Sequence, residues 1–546
     1  MAWKSMLALS ALAIGTAALA GEPHFERFTY SGQSQERVAV GPGEYRNPIL
    51  SGYYPDPLVV RVGEDYYLAN SSFISFPGIP VWHSRDLVHW RQIGNAIDRP
   101  TQLSFLDRTT ATGVFAPDIS YHDGLFYIVN TCVDCGGNFV ITAKDPAGPW
   151  SDPIWLPFDG IDPSIYWEGD RAYIVNNRMP AQPARYNGHR AIWVQEFDWR
   201  TGTMRGESTE LVDGGTDLAK KPIWVEGPHL FRRGDYYYLM AAEGGTEVNH
   251  SEVIFRAKSL RGPFTPWAGN PILTQRDLDP ARPDPVTSTG HAKLVQTQNG
   301  EWWATFLGVR PYAGNSFNIG RETFLLPVTW QDDWPVILPH GKRVPFAVAA
   351  PRLPAGHAPD APTTGDFSYQ EDFDGSTLGP AWTGIRIPRQ PFWRLAGGDL
   401  ILGRGAKLGV QLGTPSFIGR RQQHHVVTVS TTLRFTPEHE EDRAGLAAYQ
   451  SDRNYAFVGI AREAGTPVVA LYISQGGTER LVASRPHHGP APLTLTMRQN
   501  GGTLSFAYSE NGQETVLASG IDARFLSTEA AGGFVGTIIG PYAFYD

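Results

Sequence analysis

The sequence predicts an all-β chain, a five-bladed β-propeller followed by a β-sandwich. Three observations carry that expectation. An apolar strand, a turn containing Gly and an aromatic-rich strand recur five times in the first 340 residues. Gly 59 and Pro 43 among 546 residues suit many turns between short strands more than long helices. From about residue 367 onward, short runs alternate apolar and polar residues, the pattern of an antiparallel sandwich.

The five repeats run from Leu58 to Leu68 around Gly63, Ile119 to Ile128 around Gly124, and Ile165 to Ile174 around Gly169. Leu230 to Leu239 around Gly234 and Leu294 to Ala304 around Gly300 complete the series. Each is a β-hairpin whose Gly supplies the positive φ of its turn. The turn glycines are 61, 45, 65 and 66 residues apart. A second element follows most hairpins: a strand end, a polar turn and an aromatic, as in His83 to Trp90, Ala143 to Trp150 and Ala257 to Phe264. That is the third strand of a four-stranded sheet and the turn to its edge strand. Five such sheets around an axis make a propeller.

The expected organisation is a signal peptide over 1–20, a propeller over 21–345, a linker over 346–366 and a sandwich over 367–546. Lys4, the apolar run from Met6 to Leu19 and the small-residue site Ala18-Leu19-Ala20 predict export to the periplasm or beyond. The apolar run is too short for a comfortable membrane span. Lys+Arg 46 against Asp+Glu 55 gives a net charge of −9 without a basic run, which argues against a nucleic-acid partner. Cys132 and Cys135 are the two cysteines. An oxidising compartment favours a disulfide-closed loop, with free thiols as the alternative.

In a propeller the innermost strand of each blade starts at the central axis. Asp56 lies 7 residues before Gly63, Asp162 7 before Gly169, and Glu226 8 before Gly234. Asp118 lies 6 before Gly124 and His291 9 before Gly300. Every blade thus brings an acid or a His to the mouth of its inner strand. A single acid there would simply be a solvated strand end. Several acids meeting in one funnel repel, and need a use or a cation to be kept together. Glycoside hydrolysis is such a use: one carboxyl must be protonated and another ionised, standing roughly 6.5–9.5 Å apart in inverting enzymes. A third carboxylate raises the pKa of the acid by like-charge repulsion.

At these residues the chain resembles glycoside hydrolase family 43, the β-xylosidase and α-L-arabinofuranosidase family. The carriers are the stretches Asn47 to Pro57, Phe76 to Leu87, Gly113 to Asp118, Gly160 to Ser164, Glu226 to Leu230, Ala242 to Thr246, Gly290 to Ala292 and Gly320 to Thr323. The resemblance implies Asp56 as general base, Glu226 as general acid and Asp162 as the group that tunes and orients that acid. It implies Arg321 on sugar hydroxyls, with a structural salt bridge as the competing reading. Phe73 and Phe115 would line the sugar pocket rather than simply pack the core. His291 would help hold a calcium ion or its waters on the axis, against the reading of a satisfied core histidine. The C-terminal domain would be a concanavalin-like sandwich reaching over the site with Phe534. Relatives of this branch usually carry Trp at the place of Phe115 and Phe at the place of Ile161. Those departures touch the pocket wall, so they bear on the sugar and not on the reaction.

The leading expectation is an exo-acting, inverting β-xylosidase on xylo-oligosaccharides, needing no cofactor for its chemistry. An α-L-arabinofuranosidase on arabinoxylan or arabinan is the nearest alternative. A non-catalytic carbohydrate-binding propeller would lack one of the three acids, and none is missing. A sialidase-type propeller would need repeated Ser-x-Asp-x-Gly-x-x-Trp turns, of which only loose echoes occur. The expected partner is an oligosaccharide or hemicellulose, with no membrane; a homo-oligomer stays open.

Overall fold

The computed structural model describes residues 21–546 apart from 357, 358, 360, 411, 412 and 490. The expected signal peptide lies outside the described residues. Three four-stranded antiparallel sheets, one five-stranded sheet and one three-stranded sheet form the blades of the propeller. Blade I starts with Leu58–Val62, blade II with Gly113–His122, blade III with Ile161–Glu168, blade IV with Glu226–Arg233 and blade V with Thr287–Gln296. In all five the turn glycine after this inner strand has positive φ, from 58° at Gly234 to 88° at Gly300. Those hairpins therefore form where the sequence places them.

Blade V has only three strands of its own, and the start of the chain completes it. Leu50 bridges Thr323 in the outer strand Glu322–Pro327. Asn47 copies a strand's pairing with its side chain: Nδ2 donates to Leu325 O at 2.8 Å, and Oδ1 accepts from Leu325 N–H at 3.0 Å. This contact ties the first and last blades together and closes the ring.

Apolar side chains fill the gaps between blades. Val129 and Val140 of blade II meet Ile165 and Ile174 of blade III, and Val175, Ile192 and Val194 meet Leu239, Val253 and Phe255 of blade IV. Each fully buried aliphatic is worth about 1.5–3 kcal/mol. The cluster between blades I and II is continuous with Phe417, Phe457 and Tyr542 of the second domain, so the two domains share a core.

That second domain is a sandwich of two eight-stranded sheets. Here the structure corrects the expected boundaries. The strand His24–Gln33, expected in the propeller, lies in a sandwich sheet between Asp399–Leu402 and Val426–Arg434. Its alternating burial fits any half-buried strand, and only long-range pairing decides its partner. Ala347–Ala349, expected as linker, pairs with Glu44–Arg46. From blade I, Ser75–Phe76 joins the edge of the other sandwich sheet beside Thr383–Ile385.

Buried ion pairs lock this junction next to the propeller mouth. Arg386 pairs with Asp452 and donates from Nε to Arg108 O at 2.9 Å, while its N–H donates to Ile74 O at 2.8 Å. Arg310 bonds Glu322 at 2.6 and 2.7 Å and Glu36 at 2.7 Å. The sandwich thus braces the stretch after Phe73 and the strand that begins beside Arg321. Among the described residues no helix is long and apolar enough to cross a membrane.

A candidate active site on the propeller axis

The inner strands are irregular at their mouths, and the irregularity aims the side chains. Pairing with the second strand slips between Phe115 and Asp118 in blade II, Ile161 and Ser164 in blade III, and Glu226 and His229 in blade IV. Blade V slips on both sides of Gly290. Asp56, Asp162 and His291 have φ of 49°, 53° and 48°, and Gly227 has 56°. Such breaks turn a side chain out of the sheet's alternation, at a cost of order 1–3 kcal/mol each for the non-glycine residues.

The result is a cavity of about 320 Å³ lined by Asp56, Asp162 and Glu226 together with His291 and Arg321. Phe73, Phe115, Ile161 and Phe534 form much of its wall. Every residue that the family resemblance placed in the site therefore lines one cavity. Asp118 does not. It is fully buried, paired with Lys293 of blade V, and accepts the Ile165 N–H at 3.0 Å. It ties blades II, III and V together behind the site.

The three acids sit in different electrostatic settings. Burial pushes Asp56 up, but His291, whose Nδ1 stands 3.0 Å from its Oδ1, pulls it down, helped by Arg321. Ser71 Oγ donates to Asp56 Oδ2 at 2.5 Å. The balance holds Asp56 at about 2. Glu226 has no such partner: burial, then the nearby Asp162, push it up to about 8. Asp162 is itself raised by burial, and its Oδ2 accepts the Gly227 N–H at 3.2 Å. Burial lowers His291, but Asp56 and the other two acids outweigh it and bring it to about 9.

His291 was expected to serve a calcium ion. Calcium takes six to eight oxygen ligands. Around the axis, His291 Nδ1 faces Asp56, and the described residues hold no group of three or more His, Cys, Asp and Glu fit for a metal. His291 is the partner of Asp56 through Nδ1, and its Nε2 is buried without a hydrogen-bond partner among the described residues.

The aromatic wall comes from both domains. Phe73 packs on Phe115 at 4.8 Å and on Phe534 at 5.9 Å between ring centroids. The Arg321 guanidinium lies 4.8 Å from the Phe534 ring, and its Nη2 donates to Thr246 O at 2.9 Å. The stretch carrying Phe534 is held by both domains. Thr537 N–H donates to Asn318 O at 2.7 Å, and Val535 O accepts from Gln450 Nε2 at 2.7 Å. Between them Gly536 lies on Gly320, where a Cβ on Gly536 would come within 2.7 Å of the Ile319 carbonyl carbon. Only glycine permits that approach.

Cys132 and Cys135 form a disulfide, with Cα atoms 5.1 Å apart. It staples the tip of a blade II hairpin, and Val133 inside the bridge lines the cavity rim. Ser71, Val133, Trp224 and Thr246 are site residues that the sequence reading missed. Ser71 stands 15 residues after Asp56, and the other three sit at strand ends or in loops outside the repeat register.

A sugar-sized cavity walled by aromatic rings, with one carboxyl ionised and another protonated, can break glycosidic bonds by general acid–base catalysis. The fold and the site together define a glycosidase. The chain belongs to glycosyl hydrolases family 43, whose sequence model matches residues 45–335. Residues 370–546 match the β-xylosidase C-terminal concanavalin A-like domain. A xylosidase/arabinosidase of Butyrivibrio fibrisolvens is 38% identical over 505 residues, 91% of this chain and 95% of that protein. A non-reducing end α-L-arabinofuranosidase of Bacteroides ovatus is 38% identical, covering 93% of this chain and 92% of its own. The crystal structure of a GH43_12 protein from a capybara gut metagenome superposes with a TM-score of 0.88 at 36% identity, covering 96% of this chain and all of that one. The protein is thus a family 43 glycosidase, whose chemistry needs no cofactor.

Proposed function

We propose that the protein is an exo-acting, inverting glycosidase that releases single terminal D-xylose residues from xylo-oligosaccharides. The observation that carries this reading is the split between Asp56, at about 2, and Glu226, at about 8, in one cavity. At neutral pH Asp56 is ionised and takes a proton from a water as that water attacks the anomeric carbon. Glu226 is protonated and gives its proton to the glycosidic oxygen, so the leaving sugar departs as a neutral alcohol. Asp162 keeps Glu226 protonated. Arg321 hydrogen-bonds sugar hydroxyls. After each turnover Asp56 loses its proton to solvent and Glu226 regains one.

Two features support removal of one sugar at a time. The cavity volume, about 320 Å³, is at the lower end of the roughly 300–1,000 Å³ typical of ligand pockets. Phe534, delivered by the sandwich, walls one side of it. α-L-Arabinofuranosidase activity is the second reading, supported by the names of both relatives above. Hydrolysis of 4-nitrophenyl β-D-xylopyranoside and α-L-arabinofuranoside side by side separates the two. The xyloside should be preferred; a strong preference for the arabinoside would move the assignment to the second reading. Glu226→Gln or Asp56→Asn with undiminished hydrolysis would overturn the roles given to the acids.

We also place the protein outside the cytoplasm. The Cys132–Cys135 bridge fits an oxidising compartment, and the first 20 residues read as an export signal. N-terminal sequencing of periplasmic and secreted fractions should find a mature chain starting at Gly21. An unprocessed cytoplasmic chain would refute this placement.

A further inference from the structure

We infer that Trp224 is the platform for the leaving-group sugar, the residue next to the one being removed. This rests on the proposed roles of the acids and extends them to the other side of the scissile bond. The rings of Phe73, Phe115 and Phe534 gather on one side of the cavity with Arg321. They suit the terminal sugar. Trp224 lines the same cavity but stands apart from that cluster, two residues before Glu226 in the chain. Glu226 must face the glycosidic oxygen, so the chain beside it borders the path of the departing sugar.

The local structure shows a side chain held for use. Trp224 has φ 53°, a conformation that a bulky residue adopts only when its surroundings enforce it. Its N–H donates to Gly188 O of the loop before the third strand of blade III at 2.8 Å. On the other side, Gly244 and Gly245 of blade IV donate their N–H groups to Ile223 O at 3.0 and 3.2 Å. Two blades therefore fix the backbone of this segment. The Arg190 guanidinium lies 4.5 Å from the Trp224 ring centroid and steadies the ring by a cation–π contact. Trp224 is only half buried, which leaves apolar surface free to meet a ligand. A flat apolar ring at the rim of a sugar cavity, preorganised and partly exposed, fits the apolar face of a pyranose. The ligand class is a β-linked pentose or hexose unit of an oligosaccharide.

The test compares two substrates that share a terminal sugar, xylobiose and a xylosyl fluoride. The first fills the platform and the second does not. With Trp224→Ala, kcat/KM for xylobiose should fall about tenfold, mainly through KM, while that for the fluoride stays within about twofold. Trp224→Phe, which keeps an aromatic face, should recover most of the loss on xylobiose. The alkaline limb of the pH profile should not move, because Glu226 is untouched. An equal loss on both substrates would make Trp224 a support for Glu226 and overturn the platform, as would no loss on either. Wild-type protein inactive on both substrates would defeat the reading of the function itself, a result distinct from either outcome with the variants.

Discussion

Replacing Asp162 by Asn removes one negative charge and keeps the shape of the side chain. The new amide oxygen can still accept the Gly227 N–H, now made at 3.2 Å. What changes is the field at Glu226, which stands at about 8 instead of its ordinary 4.5, first by burial and second by Asp162. Burial persists in the variant, so Glu226 should not return to 4.5. A like charge at close range is worth roughly one to three pKa units, and its removal should lower Glu226 by about that much. In the proposed mechanism Glu226 must be protonated to act, so activity is lost as pH rises through its pKa. The alkaline limb of kcat/KM on xylobiose should therefore move from near pH 8 to roughly pH 5–7, read from the full pH profile. The acid limb should stay, since it reports Asp56. An unmoved alkaline limb would refute the reasoning. So would a uniform drop at every pH, which would make Asp162 a holder of geometry alone.

Three further outcomes follow from the site and its supports. His291→Asn removes the cation that holds Asp56 at about 2 against the pull of burial. Asp56 must be ionised, so the acid limb should climb by roughly two units and activity near pH 4 should fall far more than at pH 7. Cys132→Ser with Cys135→Ser opens a four-residue loop whose closure is worth about 2 kcal/mol, so the melting temperature should drop by roughly 2 °C. The same pair of substitutions should raise KM, because Val133 on the cavity rim loses its staple. Gly536→Ala would force a Cβ within 2.7 Å of Ile319 and push Phe534 off Arg321. It should raise KM about tenfold, a loss of about 1.4 kcal/mol, and leave both limbs of the pH profile in place.

Much of this site could be read from the chain because a propeller turns sequence offset into position. Asp56, Asp162, Glu226 and His291 stand near the start of inner strands, and radial symmetry sends such residues to the axis. The same rule offered Asp118, which the structure spends on Lys293, 175 residues away. Offset gives direction but not the partner that waits there. Trp224 and Thr246 escaped notice because they lie between strands, where no periodicity marks them. The strand His24–Gln33 was misplaced for a related reason: its pattern is that of any edge-to-core strand, and its neighbours come from residues around 368, 400 and 430. The state of the cysteines depends on a spatial distance, 5.1 Å between Cα atoms, that spacing alone does not fix. Phe534 was legible only through a family resemblance, since nothing in its own neighbourhood tells that a second domain leans over the first.

In the proposed mechanism Asp56 activates a water while Glu226 protonates the leaving oxygen, a single displacement that inverts the anomeric centre. Proton NMR of the sugar first released, recorded before mutarotation mixes the anomers, tests this directly. A β-xyloside should yield α-xylopyranose as the initial product. Initial appearance of the β-anomer would mean a covalent intermediate on a carboxylate, and would contradict the roles given to Asp56 and Glu226.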